Sequence, residues 1–259
     1  MGHELRKPIR RNGNTLEMPI VTMEHPRTKR KVVLFGMIHV GDREYNKKTH
    51  SRVLDLEQSG YLILYEMVGK ITRAQYSRLS KEEKKIYRGL VGSHHVMKKV
   101  AEIIGISLQR EELPIGKNWV NTDIRLAELV KRIASKNAGV PEKPNMEGDI
   151  PKKIKPFIQW FLSKLIVNIG LITSLTKKDR NEVIVSGEIV ERRDAIAIKG
   201  IARFPEQNIA TIWGASHLPG IVKGLTEQHG HVILKVEWVP AYTRTYFLKD
   251  AVRDTWDSK

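Results

Sequence analysis

Two segments at opposite ends of the chain share one construction. Val32-Val33-Leu34-Phe35 runs into Gly36 and reaches His39 three residues later; Ile209-Ala210-Thr211-Ile212-Trp213 runs into Gly214 and reaches His217. Each is an apolar run rich in β-branched residues, the pattern of a buried strand. The carboxyl end of a buried strand is where an α/β fold places its chemistry. A glycine there is expected to let the backbone turn sharply, so that the histidine projects from a fixed point. Two such segments predict two halves of one site, brought together by folding.

The residues between them set the expected architecture. Lys31 to Phe35 reads as a strand, Asp42 as the cap of a helix over about Tyr45 to Gln58, and Ser59-Gly60 as its end. Tyr61 to Tyr65 is the next strand, and it delivers Glu66. Strand, helix and strand at this spacing form a βαβ unit with a parallel pair. Ser80 with Glu82 and Glu83 starts a helical region that stops at Gly105, and Asn121-Thr122-Asp123 precedes a further amphipathic helix. Residues 137–156 read as an exposed connection, Glu182 to Ile201 as a helix, and Leu218 to Leu225 as a short helix with Pro219 in its first turn. His231 to Val239 reads as a last strand, extended by Tyr242 to Leu248. The expected fold class is α/β: a central, mostly parallel or mixed sheet flanked by helices, with a helical insertion at about 71–180 between the two Gly-x-x-His halves. Residues 1–30 are expected to be a basic lead-in with one short strand around Pro19 to Met23, residues 31–248 a single domain, and residues 249–259 a tail.

Composition narrows the chemistry. The chain has 259 residues and no cysteine, so thiol catalysis, disulfides and zinc ribbons are excluded and any metal must be held by His, Asp or Glu. Lys and Arg total 45 against 29 acids, a formal charge of +16, which would suit an anionic partner. That charge is dispersed, and no recognisable nucleic-acid module accompanies it. A solvated basic surface is therefore expected and nucleic-acid binding disfavoured. No Gly-x-Gly-x-x-Gly or Walker-type loop occurs, which disfavours nucleotide chemistry. Phe157 to Thr176 is apolar over about the length of a bilayer core, but Gln159, Lys164, Asn168 and Gly170 interrupt it. Burial within the chain or in a homodimer interface is expected there, with peripheral membrane association as the alternative. The first residues carry charge without an apolar core segment, which predicts a cytoplasmic location.

Three groups stand at expected strand ends: His39, Glu66 and His217. Two imidazoles and a carboxylate are a common ligand set for a divalent ion that keeps positions open for water. The same groups also suit metal-free chemistry, with a carboxylate-oriented histidine as general base. His229 and His231 flank Gly230 at a turn into a strand, and no catalytic role is expected of them.

Gly36-Met37-Ile38-His39-Val40-Gly41, Tyr65-Glu66 and Gly214-Ala215-Ser216-His217-Leu218-Pro219-Gly220-Ile221 resemble the TraB/PrgY/GumN/Tiki family. That family carries two Gly-x-x-His motifs, a glutamate, and an arginine from a Glu-Arg-Asp-like helix. Glu191-Arg192-Arg193-Asp194 matches the last element, with Arg193 the better candidate and Arg192 its competitor. Trp119-Val120-Asn121-Thr122-Asp123 is similar to the family's mid-chain Trp-x-Asn/His-x-Asp segment. The resemblance covers about Lys31 to Val239. It implies a fold related to the ChaN and erythromycin-esterase-like group, with both histidines at one cleft. In the Tiki branch it implies a metal-dependent peptidase; in the TraB/PrgY branch, proteins that shut down peptide pheromone activity. The Tiki branch is membrane-anchored and works outside the cell, unlike the location expected here.

The expected function is accordingly a metal-dependent hydrolase acting on peptides. His39, Glu66 and His217 would hold Mn²⁺, Co²⁺ or Zn²⁺, with Glu66 alternatively the base on metal-bound water. Arg193 would stabilise developing negative charge, and Gly36 and Gly214 would be backbone elements of the motif. Asp123 is most simply a helix cap, with substrate binding its alternative role. The rival function is a non-catalytic peptide-binding or pheromone-shutdown regulator using the same cleft.

Overall fold

A computed structural model describes residues 5, 7–68, 71–135 and 180–243; the side chains of 92–96 and 180–188 are outside that description. The expected connection at 137–156, the apolar segment 157–176, the tail 249–259 and any strand beyond Thr243 therefore lie outside the described residues. No described helix is long and apolar enough to cross a membrane.

The first half of the chain forms β1 (Arg10–Asn12), β2 (Thr15–Glu24), β3 (Lys31–Met37), β4 (Val40–Gly41), α1 (Arg43–Gln58), β5 (Leu62–Tyr65), α2 (Arg73–Ser77) and α3 (Lys81–Ile104). Then follow β6 (Ser107–Leu108), α4 (Gln109–Glu112), β7 (Val120–Asn121), α5 (Leu126–Ser135), α6 (Arg180–Ala202), β8 (Ile209–Gly214), α7 (Leu218–His229) and β9 (Val232–Thr243). A single 3-10 turn, Ala215–His217, joins β8 to α7.

Seven strands make one mixed, mostly parallel sheet. Its path is β1-β2-β3-β8-β5-β7, with β9 on β2. Strands β3, β8, β5 and β7 are parallel neighbours, while β2 pairs antiparallel with β1, β3 and β9. Only β2 runs against the rest. The expected βαβ unit is present with a difference: β3 and β5 are parallel but not adjacent, because β8 fits between them. Ile209 to Ile212 pair with Val32 to Phe35 on one side and with Leu62 to Tyr65 on the other.

The lead-in is part of this sheet. Leu16, Met18, Val21 and Met23 of β2 are fully buried, and Ile20 to Glu24 pair with Lys31 to Phe35. A boundary at residue 30 would cut a hairpin. The short strand expected around Pro19 to Met23 is the middle of β2, which runs from Thr15 to Glu24.

Alternation along β3 sends Val33, Phe35 and Met37 to one face, where Tyr45 and Val53 of α1 cover them. Val32 and Leu34 go to the other, against Ala197, Ile198 and Ile201 of α6 and Leu218, Ile221 and Leu225 of α7. A satellite cluster of Leu79, Ile86 and Val130 joins α3 to α5 in the middle of the chain. The expected capping of α3 is present as a reciprocal box between Ser80 and Glu83. Asp42 stands at the N-cap of α1 and accepts the Asn46 N–H on its backbone carbonyl at 3.1 Å, but its side chain does not cap the helix; the carboxylate instead accepts the Thr243 N–H at 3.0 Å.

Candidate functional site

Strands β3, β8 and β5 are neighbours and parallel, so their carboxyl ends lie side by side. His39 follows β3, Glu66 follows β5, and His217 ends the turn after β8. The Glu66 N–H continues the ladder by donating to the Ile212 carbonyl at 2.9 Å. On α1, the Tyr45 hydroxyl donates to the Gly36 carbonyl at 3.0 Å, tying down the strand that leads to His39.

The two motif glycines act through close approach, not through a turn. Both lie within strands, and neither has a positive φ. A β-carbon on Gly36 would lie 2.9 Å from the Pro19 carbonyl oxygen and 3.0 Å from Cδ2 of Leu218. One on Gly214 would lie 3.1 Å from Oε2 of Glu66. Gly214 in fact donates its N–H to that oxygen. The second motif glycine thus seats the glutamate.

Glu66 is held on its other oxygen by Arg193, whose Nη2 donates to Oε1. The guanidinium also donates through Nε to Oδ1 of Asp123 at 2.9 Å and through Nη2 to Oδ2 at 2.8 Å, a two-point grip that suits a planar cation. The Asp123 side chain is completely enclosed. It therefore anchors Arg193, and its Oδ1 also accepts the Ile124 N–H at 2.7 Å just ahead of α5. Arg192 points away and pairs with Glu128 at 2.9 Å. With Nε and Nη2 given to two carboxylates, Arg193 is a positioning residue for Glu66.

His217 stands behind Glu66, with its Nε2 4.0 Å from Oε1. Its Nδ1 is 2.6 Å from Oδ1 of Asp194, and its ring packs edge-on against Trp213 at a centroid distance of 5.2 Å. Asp194 comes from α6 and can reach His217 because α7 crosses α6 at glycines. A β-carbon on Gly220 would overlap Oδ2 of Asp194, and one on Gly224 would overlap Cδ1 of Ile198. Asp194 was not singled out from the sequence as a site residue. The available signal was a buried acid next to Arg193, combined with the Gly220/Gly224 spacing on the facing helix.

Burial pushes the Glu66 carboxyl upward, yet Arg193, His217, the Gly214 N–H and His39 together outweigh it and hold Glu66 below the ordinary carboxylate range. Asp194 is raised instead: burial dominates, and the His217 hydrogen bond and charge offset it only in part. Arg193 is raised despite its burial, through the hydrogen bonds and charges of Asp123 and Glu66. Glu66 is therefore firmly ionised at neutral pH.

A cavity of about 400 Å³ opens onto this cluster, within the range of small-ligand sites. Glu66 and Arg193 line its inner side, Tyr65, Leu113 and Trp119 its walls, and His39 its exposed side. His217 is not among the lining residues. The His39 ring makes no hydrogen bond to a described residue, while its carbonyl accepts the Gln109 N–H at 2.9 Å. The loop after β5 is fixed by Asn121, whose Nδ2 donates to the Met67 carbonyl at 2.8 Å.

The expected metal set does not fit this geometry as it stands. Both oxygens of Glu66 already accept a hydrogen bond, one from a guanidinium and one from an amide N–H. Among the described residues no three His, Asp or Glu side chains are grouped so that they could hold a metal ion. The arrangement offers instead an accessible imidazole beside a fixed carboxylate, with a second imidazole and its own carboxylate behind. Comparison with known protein families, curated proteins and solved structures finds no match for the chain.

Proposed function

We propose that the chain is a peptide hydrolase whose reaction site is the cavity between His39 and Glu66. The observation that carries this reading is the meeting of His39, Glu66 and His217 at the ends of three adjacent parallel strands, with His39 and Glu66 lining one open cavity. His39 is the general base. It takes a proton from a water whose oxygen attacks the carbonyl carbon, and returns it to the leaving amine as the C–N bond breaks. The ionised Glu66 balances the charge on the protonated ring. Arg193 and the Gly214 N–H keep Glu66 in place, and His217, oriented by Asp194, closes the inner side. The apolar walls exclude water and receive a side chain of the substrate.

The test is hydrolysis of a mixed peptide pool, read by mass spectrometry, for the wild type, His39→Ala and Glu66→Gln, each with and without a chelator. The expected result is cleavage that survives chelation and falls on the order of 100-fold in His39→Ala. Equal rates in wild type and His39→Ala would overturn the assignment of the base. Peptide retention without cleavage would favour the non-catalytic regulator. Activity lost to the chelator and restored by Mn²⁺, Co²⁺ or Zn²⁺ would replace this mechanism by metal-dependent hydrolysis.

A further inference from the structure

One cation beside the cavity has no carboxylate partner among the described residues. Arg110 on α4 lines the cavity and is exposed. The contact recorded for its guanidinium is with Sδ of Met67, at 3.9 Å, too long and too weak an acceptor to neutralise it. The two acids that follow it in sequence are committed elsewhere: Glu111 pairs with Lys98 at 3.2 Å and Glu112 with Arg43 at 2.8 Å. Arg110 is also held close to the site. The short ribbon of β4 and β6 pairs Val40 with Leu108, and the next amide, Gln109, donates to the His39 carbonyl. An unpaired guanidinium, the base and a set of apolar walls are therefore presented to one cavity.

We propose that Arg110 binds the free α-carboxylate of a peptide whose last side chain, large and apolar, fills the cavity. The hydrolase then acts at the carboxyl end of its substrate. The assignment rests on the peptide reading above. A guanidinium recognises a carboxylate through two parallel N–H···O bonds. Tyr65, Leu113, Trp119 and the half-exposed Ile115 offer the side chain an apolar surround.

The experiment is calorimetric titration of the full chain with N-acetyl-Ala-Ala-Leu as free acid, with the same peptide as carboxamide, and with decanoate. Wild type and Arg110→Gln are compared. In wild type the free acid is expected to bind about tenfold or more tightly than the amide, as loss of a charge-assisted pair implies. Arg110→Gln should remove that difference and leave the amide unchanged. Equal binding of acid and amide to wild type would overturn the role of Arg110 and leave the peptide reading standing. Binding of neither peptide would overturn both. Binding of decanoate without either peptide would replace the peptide by a fatty acid.

Discussion

Asp194 rests directly against Gly220, where any β-carbon would overlap its Oδ2. The contact joins α6 to the first turn of α7 and keeps the carboxylate within reach of His217. Gly220→Ala should therefore cost roughly 1–3 kcal/mol, the usual effect of overfilling a packed contact. It should also disturb the site through His217. Denaturant melts measure the first effect and peptide turnover the second. A stability unchanged from wild type would show that α7 can shift to make room.

Arg193 is the shared counter-charge of two enclosed carboxylates, so its removal is more damaging than the loss of a surface ion pair. Arg193→Met should destabilise the fold by about 3–5 kcal/mol, because Asp123 and Glu66 are left buried without a counter-charge. Arg193→Lys should recover only part of that, since an ammonium cannot reproduce the two-point grip on Asp123. Adding Glu66→Gln to Arg193→Met should restore some stability. A double-mutant cycle with no coupling would contradict the ion pair.

The two motif glycines should respond differently to alanine. At Gly36 the new methyl would meet backbone at the Pro19 carbonyl, which cannot move freely, so Gly36→Ala should lower stability by roughly 1–3 kcal/mol. At Gly214 the methyl would meet a side-chain oxygen of Glu66. Gly214→Ala should then leave the melting temperature near that of wild type and depress turnover, by pushing Glu66 off its amide. Equal loss of stability in both variants would argue against this division.

His231 predicts a pH dependence far from the site. It is 2% exposed, and neither ring nitrogen has a hydrogen-bond partner among the described residues. The His25 ring meets it edge-on at 5.5 Å. Burial, reinforced by the charges of Arg30, His25 and His229, lowers its pKa from 6.5 to about 4. Between those values the unfolded chain binds the proton and the folded chain does not, so stability falls as the pH drops through that window. The loss should approach roughly 3 kcal/mol by pH 4, and it should vanish in His231→Leu. Glu66, held below its ordinary value, adds a second loss at more acidic pH. Urea melts between pH 7.5 and 4.5 measure the slope; an identical slope in His231→Leu would refute its origin.

Much of the fold was legible because local pattern and tertiary role coincide. The β-branched runs at Val32 to Phe35 and Ile209 to Trp213, the Ser80–Glu83 box and the left-handed Gly105 mark elements that need no distant partner for their identity. What local pattern does not contain is order. The insertion of β8 between β3 and β5 depends on pairings across most of the chain. The strand character of Thr15 to Glu24 depends on being covered by β3 and β9 on its two edges.

The site follows the same division. His39, Glu66 and His217 could be singled out because strand ends are visible in sequence. Their partners could not, because a partner is defined by who stands opposite. Arg193 looked like a group for the substrate and turned out to face Asp123 and Glu66. Asp194 looked like a motif neighbour and turned out to hold an imidazole. Gly36 and Gly214 looked like hinges, whereas the space they leave belongs to Leu218 and Glu66.

The antiparallel strand β2 has a consequence for how the protein comes into being. Its register runs from Glu24 opposite Val232 to Thr15 opposite Thr243, so a strand made near the start of synthesis waits for the last described one. Until then β2 and β3 form a hairpin with bare edges, and β8, the neighbour of β3, is also late. Such long-range closure slows folding and leaves apolar strand edges uncovered during synthesis. A nascent chain stalled before residue 209 should therefore be sensitive to proteases and prone to associate, and resistance should arrive only once β8 and β9 have been made.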